Sequence, residues 1–183
     1  MLASTAPAAA FLPAAAEGQV PAGSGASPAV DVAAVQRALD KAAVDRGFVA
    51  VGAMLTPTAP LTVPPHTGLG RGALDITNTT RTGLLLQGDG SSLEDLSIVS
   101  AGPLHEAIGS FGKDGGASHV RLSGVRIDVR DTLGSANGLN LEQGGMSFWS
   151  MRDLDIDAKG YGLLTSVPTG AAGIENMLSL IHI

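Results

Sequence analysis

The sequence predicts an all-β fold: a single-stranded parallel β-helix, which is a solenoid of stacked turns of chain. Three observations predict it. A segment recurs with a constant 29-residue spacing, apolar side chains alternate within each copy, and no helical periodicity follows residue 47. A repeat of this size is typical of stacked architectures, in which each copy of the repeat forms one turn of chain.

The repeat comprises residues 93–98, 122–127 and 151–156, which are equally spaced along the chain. Equivalent apolar positions are Leu96 and Ile98, then Val125 and Ile127, then Leu154 and Ile156. Alternation with a period of two residues indicates strands with one buried face. We therefore expect Ile98, Ile127 and Ile156 to lie in register, about 4.8 Å apart. A three-residue step from Leu93, Leu122 and Met151 to the alternating positions predicts a bend in each strand.

Each repeat also contains a second short apolar run, at 107–108, 138–141 and 162–164. Before the repeats, Asp31 is a suitable N-cap for an amphipathic helix that ends at Gly47. The apolar stripe of this helix contains Val32, Val35 and Leu39, and Gln36 lies on the opposite, polar side. Short strands are predicted at 48–51, 74–76 and 83–86, an edge strand at 61–63, and a turn at 67–70.

The segments from the helix to the first turn contain, in this order, Asp31, Ala34, Gln36, Ala38, Leu39, Asp40, Gly47, residues 61–64, Leu69 and Gly70. This order resembles the beginning of pectate-lyase-like proteins. The resemblance covers roughly residues 30–175 and implies a right-handed single-stranded parallel β-helix, with the helix covering the open N-terminal end at the first turn. The superfamily includes polysaccharide lyases, glycoside hydrolases and phage tailspikes.

The chain is predicted to contain one structured unit. Residues 1–29 are rich in Ala, Pro and Gly and form either a linker or the remnant of a secretion signal. Residues 30–177 form the N-terminal part of the β-helix domain. Residues 178–183 resemble the translation of a sequencing adapter.

The composition argues against several classes of partner and site. The net charge is −6, and the 11 Lys and Arg residues form no cluster, which argues against a nucleic-acid partner. No apolar run reaches the length of about 18 residues that a membrane span needs. The chain contains no cysteine, so disulfides and thiolate metal sites are excluded.

The outer face of the repeats contains the candidate catalytic residues Asp128, Asp155 and Asp157. The 29-residue spacing places Asp128 beside Asp157 and the substrate-binding candidate Arg126 beside Asp155. Paired carboxylates can cleave a glycosidic bond, and the same oxygens could bind calcium. Asp155 is the preferred acid or calcium ligand. The alternative is that these charges are solvated groups on an exposed face.

Two aromatic side chains and three histidines complete the candidates. Trp149 and Tyr161 are the only Trp and Tyr of the chain, and their rings could contact a sugar or fill the core. The spacing of His66, His105 and His119 fits no metal-binding motif.

The resemblance implies a carbohydrate-active, extracellular or virion-associated protein that binds a polysaccharide. Whether such a protein also cleaves the polysaccharide, as a lyase or as a glycoside hydrolase, stays open at this point. The alternative is a non-catalytic structural role in a phage tailspike or a cell-surface protein, with a homotrimer as the expected assembly.

Overall fold

The protein is described by a computed structural model, which covers residues 31–110, 117–141, 146–164 and 172–181. These residues form one α-helix and fifteen β-strands. The elements are α1 (Val32–Asp45), β1 (Phe48–Ala50), β2 (Met54–Leu55), β3 (Leu61–Val63), β4 (Gly68–Asp75), β5 (Thr82–Leu86), β6 (Ser92–Val99), β7 (Glu106–Ser110), β8 (Ala117–Ser118), β9 (Arg121–Ser123), β10 (Arg126–Val129), β11 (Asn137–Asn140), β12 (Met146–Ser147), β13 (Trp149–Ala158), β14 (Leu163–Leu164) and β15 (Ala172–Ile181).

Helix α1 is confirmed, together with its N-cap. The carboxylate of Asp31 accepts a hydrogen bond from the Ala33 N–H at 3.0 Å, which satisfies one of the free amides of the first turn. Val35 and Leu39 are buried and direct the apolar stripe of the helix toward β1 and β3. At the C-terminal end the left-handed residue is Arg46, with φ of 54°, rather than the predicted Gly47.

The polar side of α1 also contributes to the packing, because Gln36 binds the backbone of β3. The Gln36 side chain accepts a hydrogen bond from the Thr62 N–H at 2.9 Å and donates one to the Thr62 carbonyl at 3.0 Å. Strand β3 lies at the edge of its sheet, as predicted. One amide side chain therefore satisfies both backbone groups of Thr62 and ties the helix to this edge.

The strands form three sheets in which every described pairing is parallel. The largest sheet has eight strands, in the order β1-β4-β6-β10-β13-β15, with β2 beside β4 and with β9 between β6 and β13. The second sheet has five strands, in the order β14-β11-β7-β5-β3, and β12 and β8 form the third. The apolar side chains of the two larger sheets belong to one hydrophobic core.

The register that the 29-residue spacing predicts is confirmed in the eight-stranded sheet. Ile127 pairs with Ile98 on one side and with Ile156 on the other, and none of the three residues is more than 2% exposed. The predicted bend is also present, because Asp95, Gly124 and Asp153 adopt left-handed backbone angles at equivalent positions.

The predicted fold class is wrong. The described residues form one α-helix and parallel strands in separate sheets, which do not constitute an all-β, right-handed single-stranded parallel β-helix. The spacing between paired residues is also not constant, whereas a uniform stack would require one repeated offset. Arg126 pairs with Ser97 and with Asp155 at the repeat spacing, but the pairs Gly68–Ser92 and Trp149–Ala172 are separated by shorter stretches of chain.

The physical reason for this error is that pairing in a sheet constrains neighbouring strands and not the path of the whole chain. The regular repeat extends over three strand positions only, and the resemblance supplied the rest of the predicted architecture.

A smaller error concerns residues 67–70, which were predicted to form a turn. Residues 68–70 instead begin β4, where they pair with β1 and β6.

Candidate functional site

The predicted carboxylates lie together on β10 and β13 of the eight-stranded sheet. Asp128 pairs in register with Asp157, and Arg126 pairs with Asp155. The Arg126 Nε lies 3.6 Å from Asp155 Oδ2, with the side chains 68% and 45% exposed. The spacing of the repeat thus predicted correctly which of these residues are neighbours.

Arg130 links the other two carboxylates. Its Nη2 lies 3.3 Å from Asp128 Oδ2, and its Nη1 donates a hydrogen bond to Asp157 Oδ2 at 3.3 Å. The Nε of the same guanidinium lies 3.8 Å from Asp131 Oδ2. One cation therefore balances three carboxylates, which reduces the repulsion expected between like charges on adjacent strands.

The two aromatic candidates occupy different environments. Trp149 lies in the hydrophobic core with 2% of its surface exposed, whereas Tyr161 is 58% exposed. The backbone N–H of Tyr161 donates a hydrogen bond to Asn137 Oδ1 at 2.9 Å. Burial keeps the Trp149 ring from the outer face on which Arg126 and the carboxylates lie. Roles for these residues in catalysis or sugar binding stay predictions.

Residues with left-handed backbone angles form two columns across the eight-stranded sheet. Along each part of the chain that crosses both columns, one short segment separates the two left-handed residues. The bend column contains Arg71, Asp95, Gly124 and Asp153, with φ between 50° and 64°. The corner column contains His66, Gly90, His119 and Phe148, with φ between 56° and 71°. A left-handed residue changes the direction of an extended chain, so each strand turns at both columns and has four residues between them.

These intervening segments line a groove of about 490 Å³. Inward positions are occupied by buried residues such as Leu122 and Met151, while the outward side chains are polar or charged. The groove crosses β6, β9 and β13, and it is lined by Glu94, Arg121, Leu122, Ser123, Ser150, Met151 and Arg152.

The register orders the polar side chains of the groove into two rows. Glu94, Ser123 and Arg152 form one row, and Arg121 and Ser150 lie beside each other in the other. Two guanidinium groups, two hydroxyls and one carboxylate therefore face a common space. Arginine matches planar oxyanions such as carboxylates through paired hydrogen bonds, while the hydroxyls and Glu94 can bind neutral hydroxyl groups.

Sequence reasoning missed this groove, although the signal was present. The same 29-residue spacing that aligns Asp128 with Asp157 also aligns Glu94, Ser123 and Arg152. The predicted charged residues Arg126, Asp128, Asp155 and Asp157 all follow the bend in their strands. The equivalent outward positions before the bend carry both arginines of the groove.

A polar cluster lies at the corner column next to the groove. Asp89 Oδ1 accepts hydrogen bonds from the Ser118 N–H at 2.8 Å and from the Ser118 hydroxyl at 2.6 Å. These bonds hold the pKa of Asp89 below its usual value of 3.8, and the nearby imidazoles of His119 and His66 lower that pKa further. The ring of His119 also stacks on Phe148, with centroids 5.0 Å apart and planes 14° from parallel.

Within the described ranges, no group of three or more His, Cys, Asp or Glu side chains is arranged to hold a metal ion. A calcium site therefore stays a prediction from the sequence. The helix of the described segments is not long and apolar enough to cross a membrane.

Comparison of the chain with models of known protein families, with curated proteins and with solved structures returned no match.

Proposed function

We propose that this chain binds an acidic polysaccharide across the outer face of its eight-stranded sheet. The observation that carries the proposal is the groove in which Arg121 and Arg152 lie on adjacent strands with Ser123, Ser150 and Glu94 around them. Polysaccharides of this kind coat cells and fill extracellular matrices, so an extracellular or virion-associated location follows from the proposal.

The spacing of the two arginines suits a polymer with repeated carboxylates. Arg121 pairs with Ser150, and Arg152 lies two residues beyond Ser150. Strand spacing and rise per residue put the two α-carbons about 8 Å apart. A guanidinium has five N–H donors, so each arginine can bind a separate carboxylate of one polysaccharide chain in addition to its contacts within the protein, and the serines can bind the hydroxyls between them.

The net charge of −6 opposes the binding of an acidic polysaccharide. General electrostatic attraction works against a polyanion, so affinity has to arise from local contacts with the two arginines. Binding should therefore depend on these two residues and weaken as salt concentration rises.

Ion pairing at the three predicted catalytic carboxylates supports binding rather than cleavage. Arg130 contacts Asp128 and Asp157, and Arg126 contacts Asp155. The Oδ2 atom of each of these carboxylates is thus already in contact with a guanidinium, and a substrate would have to compete with Arg126 and Arg130 for it.

Affinity electrophoresis in gels that contain polygalacturonate, alginate or neutral dextran tests the proposal. We expect retardation by the acidic polymers only, and a loss of affinity of about tenfold in the Arg121→Ala/Arg152→Ala variant, as expected for charge-assisted hydrogen bonds. Arg81→Ala removes an exposed arginine that does not line the groove and is the matched control. Equal retardation of the wild type and the double variant would overturn the proposal.

The same polymers test the predicted catalytic residues. The wild type and the variants Asp128→Asn, Asp155→Asn and Asp157→Asn are incubated with each polysaccharide, and new reducing ends and unsaturated products are measured. Binding without product formation supports the function proposed above. Product that disappears in the variants would assign catalysis to these carboxylates instead, and the absence of both binding and product would favour a structural role.

A further inference from the structure

The stacked rings of His119 and Phe148 (the ring pair) belong to two residues with an uncommon backbone conformation. Both residues have left-handed angles, with φ of 56° and 57°. This conformation suits glycine and is uncommon for a residue with a bulky side chain. Gly90, one step earlier in the same column, has the residue type that such a position favours.

The ring of Phe148 remains at the surface despite its contact with His119. Phe148 is 59% exposed, and the two rings stack with centroids 5.0 Å apart. Burial in the core therefore does not account for a large apolar side chain at this position. Exposed, rigidly held aromatic faces are typical of binding surfaces, since they offer contact area at a small cost in side-chain entropy.

The residues of the ring pair lie just before the two strands that carry Arg121 and Ser150 into the groove. His119 precedes Arg121 by two residues, and Phe148 precedes Ser150 by two residues. Two residues of chain span at most about 7 Å, so the α-carbons of the ring pair lie within about that distance of the α-carbons of Arg121 and Ser150.

Asp89 supplies a fixed hydrogen-bond acceptor at the same corner. Its Oδ1 is bound by the Ser118 N–H and hydroxyl, which orients the carboxylate. The neighbouring residue Gly90 has no side chain, and a Cβ built there would lie 2.7 Å from His66 Nδ1. The absence of a side chain at Gly90 thus lets the His66 imidazole lie against the Gly90 backbone.

We propose that His119 and Phe148 form a stacking subsite for one sugar ring of the polysaccharide, with Asp89 accepting hydrogen bonds from hydroxyls of that sugar or its neighbour. This inference rests on the proposed function, and it extends the binding surface from the groove to the corner column. A sugar ring has an apolar face of C–H groups that can cover the exposed Phe148 ring, while its hydroxyls at the ring edge remain available to Asp89.

The test measures the binding of galacturonate oligomers of increasing length to the wild type, Phe148→Gly and Phe148→Trp. Trp149 is the only tryptophan of the chain and follows Phe148 directly, so its fluorescence can report binding in all variants except Phe148→Trp. Isothermal titration calorimetry provides a readout common to all of them. Val44→Ala, which truncates an 83% exposed apolar side chain on α1, is the matched control.

We expect Phe148→Gly to bind the longer oligomers roughly fivefold more weakly, the size of effect that one aromatic contact produces, and to bind the shortest oligomers as the wild type does. Phe148→Trp should retain the affinity for long oligomers. Glycine suits the left-handed angle, so the Phe148→Gly protein should unfold at a urea concentration no lower than the wild type, which separates lost stacking from lost folding.

Unchanged affinity of Phe148→Gly for every oligomer, with weak binding by Arg121→Ala/Arg152→Ala, would overturn the stacking subsite and leave the groove intact. Unchanged affinity in both variants would overturn the proposed function itself, and the subsite with it. A uniform loss for short and long oligomers alike would also contradict a separate subsite.

Discussion

Asp128 and Asp157 lie side by side on β10 and β13, and the guanidinium of Arg130 contacts both carboxylates at 3.3 Å. The arrangement joins two adjacent strands through one side chain. Asp157 is 16% exposed and Asp128 is 24% exposed, so solvent screens their mutual repulsion only in part. Arg130 therefore has a stabilising role that can be measured independently of any ligand.

Arg130→Ala should lower the free energy of unfolding by about 1 kcal/mol, because the two carboxylates are left facing each other without their shared cation. Urea unfolding at low and high salt measures the effect, which should shrink as salt screens the repulsion. Among the described residues Arg126 contacts one carboxylate, that of Asp155. Both of these side chains are more exposed than those of Asp128 and Asp157. Arg126→Ala should therefore cost no more than about 0.5 kcal/mol. Equal losses in the two variants, or no salt dependence, would contradict the shared role of Arg130.

Asp89 should make stability depend on pH in the acid range. Its pKa in the folded protein is lowered below 3.8, mainly by the hydrogen bonds from Ser118. The ionised carboxylate therefore stabilises the fold above the unfolded pKa, and this contribution is lost as pH falls through the lowered folded pKa. Urea unfolding of the wild type and Asp89→Asn from neutral pH downward should show the wild type more stable at neutral pH and the two proteins converging in acid. A difference that stays constant across the titration would contradict this prediction.

Gly70 should tolerate no side chain. A Cβ built on Gly70 would lie 1.7 Å from the backbone oxygen of Glu94 on the neighbouring strand, so the strands themselves would have to separate. We expect Gly70→Ala to lower the free energy of unfolding by about 3 kcal/mol. Gly47→Ala, where the nearest atom is the Ala42 Cβ at 3.3 Å, is the control and should cost much less. Thermal unfolding monitored by circular dichroism distinguishes the two, and similar midpoints would show that β4 and β6 are not packed as closely as described.

Gly124 tests the bend column directly. Its φ is 64°, and a Cβ there would also lie 2.5 Å from Asp95 Oδ1. Gly124→Ala should cost about 1–2 kcal/mol from the left-handed angle alone. Adding Asp95→Ala should relieve the side-chain contact but not the backbone cost, whereas Gly124→Asn should cost less because Asn accepts this conformation. A Gly124→Ala protein as stable as the wild type in urea would mean that the bend does not need a left-handed residue.

The sequence predicted local pairings well because they follow from alternation and spacing. The register of Ile98, Ile127 and Ile156 and the neighbours of Asp155 and Asp157 all follow from one constant offset. The helix was also predictable, since Asp31 and the apolar stripe specify its start and its buried side within a single segment. These features depend on residues that lie close in the chain or repeat at equal steps.

Features that depend on unequal numbers of residues between neighbouring strands could not be predicted from the repeat. The step from His66 to Gly90 is shorter than the step from Gly90 to His119, so the two histidines show no periodicity in the sequence although one column holds them both. The β4 strand was missed at its start because its glycines indicate a turn locally, while pairing with β1 and β6 favours extended backbone. The predicted fold class was wrong for the same reason, because the number of residues that separates paired positions differs from one pair of strands to the next.

The unequal steps also have a practical consequence. The chain between Glu106 and its strand partner Asn137 is longer than the chain between Thr82 and Glu106, and yet all three residues remain in register. Part of the added length lies in the surface turn between Val129 and Asn137, where Leu133 is 75% exposed. That turn is a natural position for displaying foreign peptides, because the scaffold already accommodates crossings of different length without shifting the strands beneath them.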